Sequence, residues 1–234
     1  MMAAPVYLQP AIILQLKPYR ETSLLLDVFT RDFGIVPMLA KAVRQPKSKL
    51  AGVLQPFLLL QLSYLDNKEL KLLTGAELQQ TYSLQQLGLY CGFYVNELLQ
   101  KLLHKHDPYP ELFADYQHCL QALAVNQSVE ASLRYFELNL LLQTGYQLEL
   151  DWDNHHQHSV QTQLRYDFIA GVGMMAAAEG MVSGHTLLKL SQHQELDSLA
   201  LAESKRLLRT ILDAYLQGQS LHSREVLAKM RKYL

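Results

Sequence analysis

Cysteine is scarce in this sequence, and the scarcity removes one class of architecture at once. Only Cys91 and Cys119 occur in 234 residues, both inside patterns that read as helix, where a free thiol packs as a small hydrophobe. No disulfide framework is expected. Long apolar runs are missing too: nothing approaches the roughly 18 apolar residues of a membrane span. The N-terminus MMAAPVYLQP has neither the basic start nor the apolar core of a secretion signal. A soluble, cytoplasmic protein with no membrane partner is expected. The chain also contains no G-x-S-x-G elbow, no P-loop and no H-E-x-x-H pair, so three common signatures of enzymes are absent.

One local absence is more informative. Between Asp32 and Asp66 no acidic side chain occurs, while Lys41, Arg44, Lys47 and Lys49 fall within nine residues of the stretch KAVRQPKSKLAGVLQPF at 41–57. A phosphodiester backbone would meet unopposed positive charge there; a solvated surface loop is the plainer alternative. The net charge of −1 conceals an asymmetry. Residues 1–80 carry nine Lys/Arg against six Asp/Glu, residues 81–200 five against thirteen, and residues 201–234 seven against three. The ends are basic and the middle acidic, so contact with nucleic acid is expected from the ends.

A hydrophobic content of 49% with 18% charged residues marks a folded chain. Five short segments have β character: AIILQLK, TSLLLDVFT, GIVPMLAKAV, VLQPFLLLQLSYL and ELKLLTGAEL. Turn-like joints separate them at Pro18-Tyr19, at Asp32-Phe33-Gly34, at the basic loop and at Asp66-Asn67, the last resembling a tight hairpin. Five strands in about 70 residues suggest a small closed sheet; a five-stranded barrel of OB type fits the count, and an SH3-like barrel fits nearly as well. Pro37 points to an edge position or a bulge, because proline donates nothing to a ladder.

After Thr81 the period changes. Leu84, Leu87, Gly88, Cys91, Val95, Leu98 and Leu102 share one face of a helix running to about His106. This places a boundary near residue 80, between a β domain at 1–80 and a mostly helical domain at 81–234. Asp107-Pro108 and Pro110 separate the first helix from a second. A third, LRYFELNLLLQTGY, is expected to be capped by Ser128 and stopped at Gly145. GHTLLKLSQ, LAESKRLLRTILDAYLQG and SREVLAKMRKYL read as further helices, with Arg206 and Arg209 on one face of the second of these. The fold class is therefore α+β.

Residues 148–172 break the helical pattern and hold Asp151, Asp153, His155, His156 and His158. These are metal-ligand types, but their spacing matches no short-range pair such as His-x₃-His and no cysteine supports them. A solvated polar loop is the simpler reading, and no structural zinc is expected.

The motifs PYRETSLLLDVFTRDFG, LAKAVRQPKSKLAGVLQPF and KLLTGAE, followed by YCGFYVNELLQKLL, LRYFELNLLLQTGY and SKRLLRTILDAYLQGQSLHSRE, occur in this order over most of the chain. In register they resemble the bacterial recombination-mediator RecO family. The resemblance implies an N-terminal OB domain, a helical C-terminal domain and a non-enzymatic, nucleoid-associated role in repair, without a cofactor. It implies binding to single- and double-stranded DNA, annealing of complementary strands, binding of the acidic C-terminal tail of the single-strand-binding protein SSB, and action with RecR to load RecA. Family members with a four-cysteine zinc module carry it where residues 148–172 lie, and no cysteine remains there.

Residue expectations follow. Lys41, Arg44, Lys47 and Lys49, with Arg20 and Tyr19, are the DNA-binding set: the cations for phosphates, Tyr19 for base stacking. Phe29 and Phe57 lie in apolar runs and are expected in the core. Arg134, matching a family arginine in the tail contact, would meet the carboxylate of the Phe-terminated SSB tail, with Arg206 and Arg209 as supporting charges. An ion pair to Glu130 or Glu137 is the alternative for Arg134. Two other functions stay open at this point: an OB-fold single-strand binder without mediator activity, and a metal-dependent hydrolase built on the histidine cluster.

Overall fold

The structure, a computed structural model, describes residues 4–66, 69–146 and 148–230, Met230 by its backbone alone. Asn67 of the expected hairpin and the last four residues of the expected final helix lie outside the described residues. The chain forms two compact units, residues 1–127 with 221–234, and residues 128–220.

In the first unit β1 (Ala4–Tyr19), β2 (Ser23–Thr30), β3 (Gly34–Ala40), β4 (Leu58–Asp66) and β5 (Lys71–Thr81) close a barrel in the order β1-β2-β3-β5-β4. That order, with β3 and β5 parallel and the other pairs antiparallel, is the OB arrangement. Two boundaries differ from expectation. β1 begins at Ala4 rather than Ala11, because its first residues pair with the end of β4 (Ala4↔Asp66). The stretch VLQPF lies in the loop before β4.

Alternation explains the core. Ala11, Ile13, Leu26, Val28, Val36, Met38, Leu60 and Leu62 point inward and are buried. The opposite faces of β1 and β2 are also dry: Ile12 and Phe29 are buried, Phe29 lying 5.3 Å from the ring of Phe113. Residues buried on both faces read as continuous apolar runs, which is why AIIL shows no alternation. Pro37 pairs with Asp27 of β2 in regular register, while β5 reaches β3 only at Met38 and Leu39. The missing N–H of proline therefore faces a side without a ladder partner.

Helices α1 (Gln86–Leu102) and α2 (Pro110–Val125) complete this unit with α6 (His222–Met230). α1 ends four residues before His106, since residues 103–107 take another task. Lys105 bridges to Ile35 and the His106 N–H donates to the Ile35 carbonyl at 3.1 Å, next to the stretch of β3 that β5 does not reach. Gly34 permits this approach, with φ +62° and a hypothetical Cβ 1.9 Å from the Asp107 carbonyl oxygen. The register of β1 shifts between Ile13 and Gln15. The Leu14 carbonyl at that irregularity accepts from Asn96 Nδ2 at 2.9 Å, and Tyr116 Oη donates to Asn96 Oδ1. This buried relay satisfies groups whose desolvation would otherwise cost about 1–3 kcal/mol each.

The second unit contains α3 (Val129–Gln143), α4 (Gly184–Ser191) and α5 (Ser198–Tyr215). The segment expected to be irregular is built of short strands. β6 (Trp152–Asp153) pairs with β7 (His158–Ser159), and β8 (Arg165–Ile169) lies between β9 (Gly173–Ala176) and β10 (Val182–Ser183). The strands are two to five residues long, too short for period-2 patterning to register. Ser128 does not cap α3 with its side chain; it sits in the left-handed region at φ 50°. Gly145, at φ +84°, follows the end of α3 as expected. Glu203 of α5 is the buried knot of the unit, accepting from Ser183 Oγ at 2.7 Å, Thr186 Oγ1 at 2.6 Å and Arg165 Nη2 at 3.0 Å. Burial pushes its carboxyl up, but these donors and the Ser183 N–H together hold it below the usual carboxylate value.

Candidate nucleic-acid interface and partner site

One end of the barrel collects the residues singled out for DNA. Register places the β1–β2 turn (Tyr19↔Ser23), the end of β3 (Leu24↔Ala40) and the start of β5 (Met38↔Lys71) together. The loop 41–57 leaves from this end, anchored in the barrel core by Val43 and Leu54, both buried. Its backbone is tied to the β1–β2 turn: the Arg44 N–H donates to the Thr22 carbonyl at 2.8 Å, and Arg44 Nη1 donates to the Arg20 carbonyl at 3.4 Å. Twenty-four residues apart in sequence, Arg20 and Arg44 are thereby neighbours. Left-handed φ values at Arg20, Ala42 and Lys47 mark tight turns in both segments.

Arg20, Lys41, Arg44, Lys47 and Lys49 are all exposed. Among the described residues none of the five makes an ion pair, so their charge is available to an external anion. Tyr19 is half-buried with the Arg20 guanidinium 5.3 Å from its ring centroid, a cation–π contact that occupies one face of the ring. Phe29 and Phe57 are in the core as expected, whereas Phe33 is 42% exposed.

The outer face of β1–β2–β3, the usual ligand face of an OB barrel, is different. Lys17, Gln15, Asp27 and Pro37 line a depression of about 360 Å³ together with Glu69, Leu70 and Lys105. Two cations face two carboxylates there, so this face offers a phosphate little net attraction. Sequence inspection missed Lys17 and Lys105; only the register Lys17↔Leu25 and the bridge at Ile35 bring them together.

Arg134 lies on α3, in the other unit, 7% exposed. Its Nη2 meets Glu137 Oε1 at 2.7 Å, with Glu137 also buried, which is the ion pair foreseen as the alternative. Its Nε is buried without a hydrogen-bond partner. A guanidinium offers five N–H donors, so pairing with Glu137 leaves donor capacity unused. Arg206 and Arg209 have partners of their own: Arg206 Nη2 donates to the Met181 carbonyl at 2.8 Å, and Arg209 lies 3.8 Å from Asp213 on its own helix. Lys205 reaches α3 instead, 3.8 Å from Glu130.

The 148–172 segment holds no cysteine, and the two free cysteines lie in α1 and α2. Asp151 is exposed, whereas Asp153 is fully buried. Burial raises the Asp153 carboxyl, but the His156 ring and backbone N–H groups of His155, His156 and Ala176 outweigh it and hold the group below its ordinary value. Among the described residues no helix is long and apolar enough to cross a membrane.

Barrel order, cationic loop end and a separate helix-rich unit define a two-part OB-barrel protein. Comparison with known proteins names the family. The family model for the recombination protein O N terminal matches residues 2–82, and that for the recombination protein O C terminal matches residues 86–225. The chain is 40% identical over 224 residues to the DNA repair protein RecO of Methylococcus capsulatus, covering 94% of this chain and 93% of that one. It is 38% identical over 231 residues to the DNA repair protein RecO of Nitrosospira multiformis, covering 96% of each. The chain belongs to the RecO family of DNA repair proteins.

Proposed function

We propose that this chain acts as a recombination mediator in DNA repair. It binds single- and double-stranded DNA through Arg20, Lys41, Arg44, Lys47 and Lys49, with Tyr19 as a stacking surface, and brings complementary strands together. It engages the SSB tail at Arg134 and works with RecR to promote RecA loading in the cytoplasm, itself catalysing no bond change. The observation that carries the DNA reading is the tie between the β1–β2 turn and the 41–57 loop. It concentrates five exposed cations, none of them in an ion pair among the described residues, at one barrel end that also carries the carboxylate of Glu21. Such a cluster attracts phosphates without selecting sequence, which is what annealing of arbitrary strands requires. Arg134 supports the tail reading through its buried, unpartnered Nε. Desolvating the terminal carboxylate of a Phe-ended tail is unfavourable unless a fixed cation receives it.

The test is annealing of complementary oligonucleotides coated with SSB, compared with SSB lacking its tail. The mediator reading expects rapid annealing on intact SSB and a large loss on the tail-less form. Equal rates on both would leave an OB-fold strand binder without mediator activity.

A further inference from the structure

The turn between β6 and β7 gathers Asp153, His156 and His158 so that one donor atom of each lies within 4.8 Å of the other two. The backbone builds this cluster. Asp153 Oδ1 accepts the N–H groups of His155 at 2.9 Å and His156 at 3.3 Å, an Asp-led turn. The Gln157 N–H closes onto the Asp153 carbonyl, and the Asn154 N–H fastens the turn to Met174 of β9, both at 2.9 Å. With Oδ1 so held, Oδ2 faces His156 Nδ1 at 2.9 Å.

His158 is oriented independently. Its Nδ1 lies 2.8 Å from the Ser159 carbonyl oxygen, which only accepts, so that nitrogen carries the proton and Nε2 carries the lone pair. The His156 and His158 rings are nearly parallel, 11° apart with centroids at 5.5 Å. His156 is half exposed and His158 partly exposed, so a solute reaches the two rings from outside, with the buried Asp153 carboxylate behind them.

We propose that this turn is an exchangeable binding site for one borderline divalent cation of the Zn²⁺, Ni²⁺ or Cu²⁺ class, held by Asp153, His156 and His158 with water completing the shell. Two imidazoles and a carboxylate select such ions over Mg²⁺ and Ca²⁺, which take oxygen ligands. The 2.9 Å between Asp153 Oδ2 and His156 Nδ1 suits two ligands of one cation bonded at about 2.0–2.2 Å. With a proton on Nδ1 the metal-free ring bridges that gap by a hydrogen bond; when the cation takes that place the neutral His156 ring carries its proton on Nε2 instead. Three protein ligands make an open site, distinct from the closed four-ligand sets that hold folds together. The site is independent of the DNA reading.

The experiment uses the full chain stripped with a chelator and titrated with Zn²⁺ against a chromophoric chelator, then with Co²⁺ followed in the visible. One saturable equivalent is expected, unaffected by excess Mg²⁺, with a Co²⁺ spectrum lacking thiolate charge-transfer bands. His156→Ala and His158→Ala should each weaken binding by at least about tenfold, and the double variant should abolish it. His222→Ala, a histidine of the other unit, should change nothing. Circular dichroism of the variants confirms folding, which exposed turn positions leave intact. The proposal is overturned if the native chain shows no saturable equivalent, or if the double variant binds as well as the native chain.

Discussion

Replacing Arg134 is the most direct probe of the partner site, and the structure changes how it must be done. In isolation, losing a charge-assisted hydrogen bond to the tail carboxylate should cost about 1.5–3 kcal/mol of binding, roughly a 10- to 150-fold rise in Kd. Arg134→Ala, however, also removes the buried cation that pairs with the buried Glu137 carboxylate at 2.7 Å. Breaking a buried pair from one side costs about 3–5 kcal/mol of stability, enough to disturb α3 before any peptide is added. Arg134→Met with Glu137→Met removes both charges while keeping apolar volume, and such swaps are often neutral for stability. Tail-peptide binding by isothermal calorimetry, thermal melting and annealing of bare oligonucleotides should be measured on both variants. The expectation is a strongly lowered melting temperature for Arg134→Ala alone. For the double variant it is a near-native melting temperature with weakened tail binding and intact bare-strand annealing. A double variant that melts normally and binds the tail as tightly as the native chain would refute the assignment.

The basic loop predicts a salt effect. Lys41→Ala, Lys47→Ala and Lys49→Ala together should flatten the slope of log K against log salt for single-stranded DNA by about 2, at about 0.7 per lost phosphate contact, whatever the sequence; an unchanged slope removes the loop from the interface. Arg44→Ala should additionally loosen the β1–β2 turn, seen as faster amide exchange at Thr22 and Ser23. Asp197, which caps α5 through the Ala200 N–H, has its carboxyl lowered to about 2 by Lys189 first and the cap bond second. Its folded value lies below the unfolded value of about 3.9, so its contribution is present at neutral pH and fades as pH falls through that window. The melting-temperature gap between native protein and Asp197→Ala should therefore close between about pH 4 and pH 2; a constant gap would contradict the cap. Finally, alanine at His155, His156 and His158 together should leave the metal-free melting temperature nearly unchanged, because the contact their rings make to the buried Asp153 is the half-exposed His156 pair and the His158 contact to the Ser159 carbonyl is exposed. A large drop would make these histidines structural.

Local information decided a good deal of this protein. Five strands, three helices after residue 81 and three near the end were legible because apolar spacing repeats with the period of each element, and the core positions of Phe29 and Phe57 followed from continuous apolar runs. Order of the motifs along the chain sufficed for the family. Tertiary structure decided what spacing does not encode. Arg20 and Arg44 become neighbours only through hydrogen bonds between two loops, and Lys17 joins Lys105 only because residues 103–107 lie against β3. The return of α6 to the barrel unit depends on Glu97, whose carboxylate receives the His222 and Ser223 N–H groups at the start of that helix. Arg134 reads as a cation on a leucine-rich helix, yet whether its charge is free or already matched depends on burial, and burial of an i,i+3 pair is set by the elements packed around α3. The strands of residues 152–183 escaped because strands of two to five residues carry too little periodicity; Asp153, His156 and His158 were legible as ligand types, but which of the five candidates converge depends on backbone hydrogen bonds to one buried carboxylate.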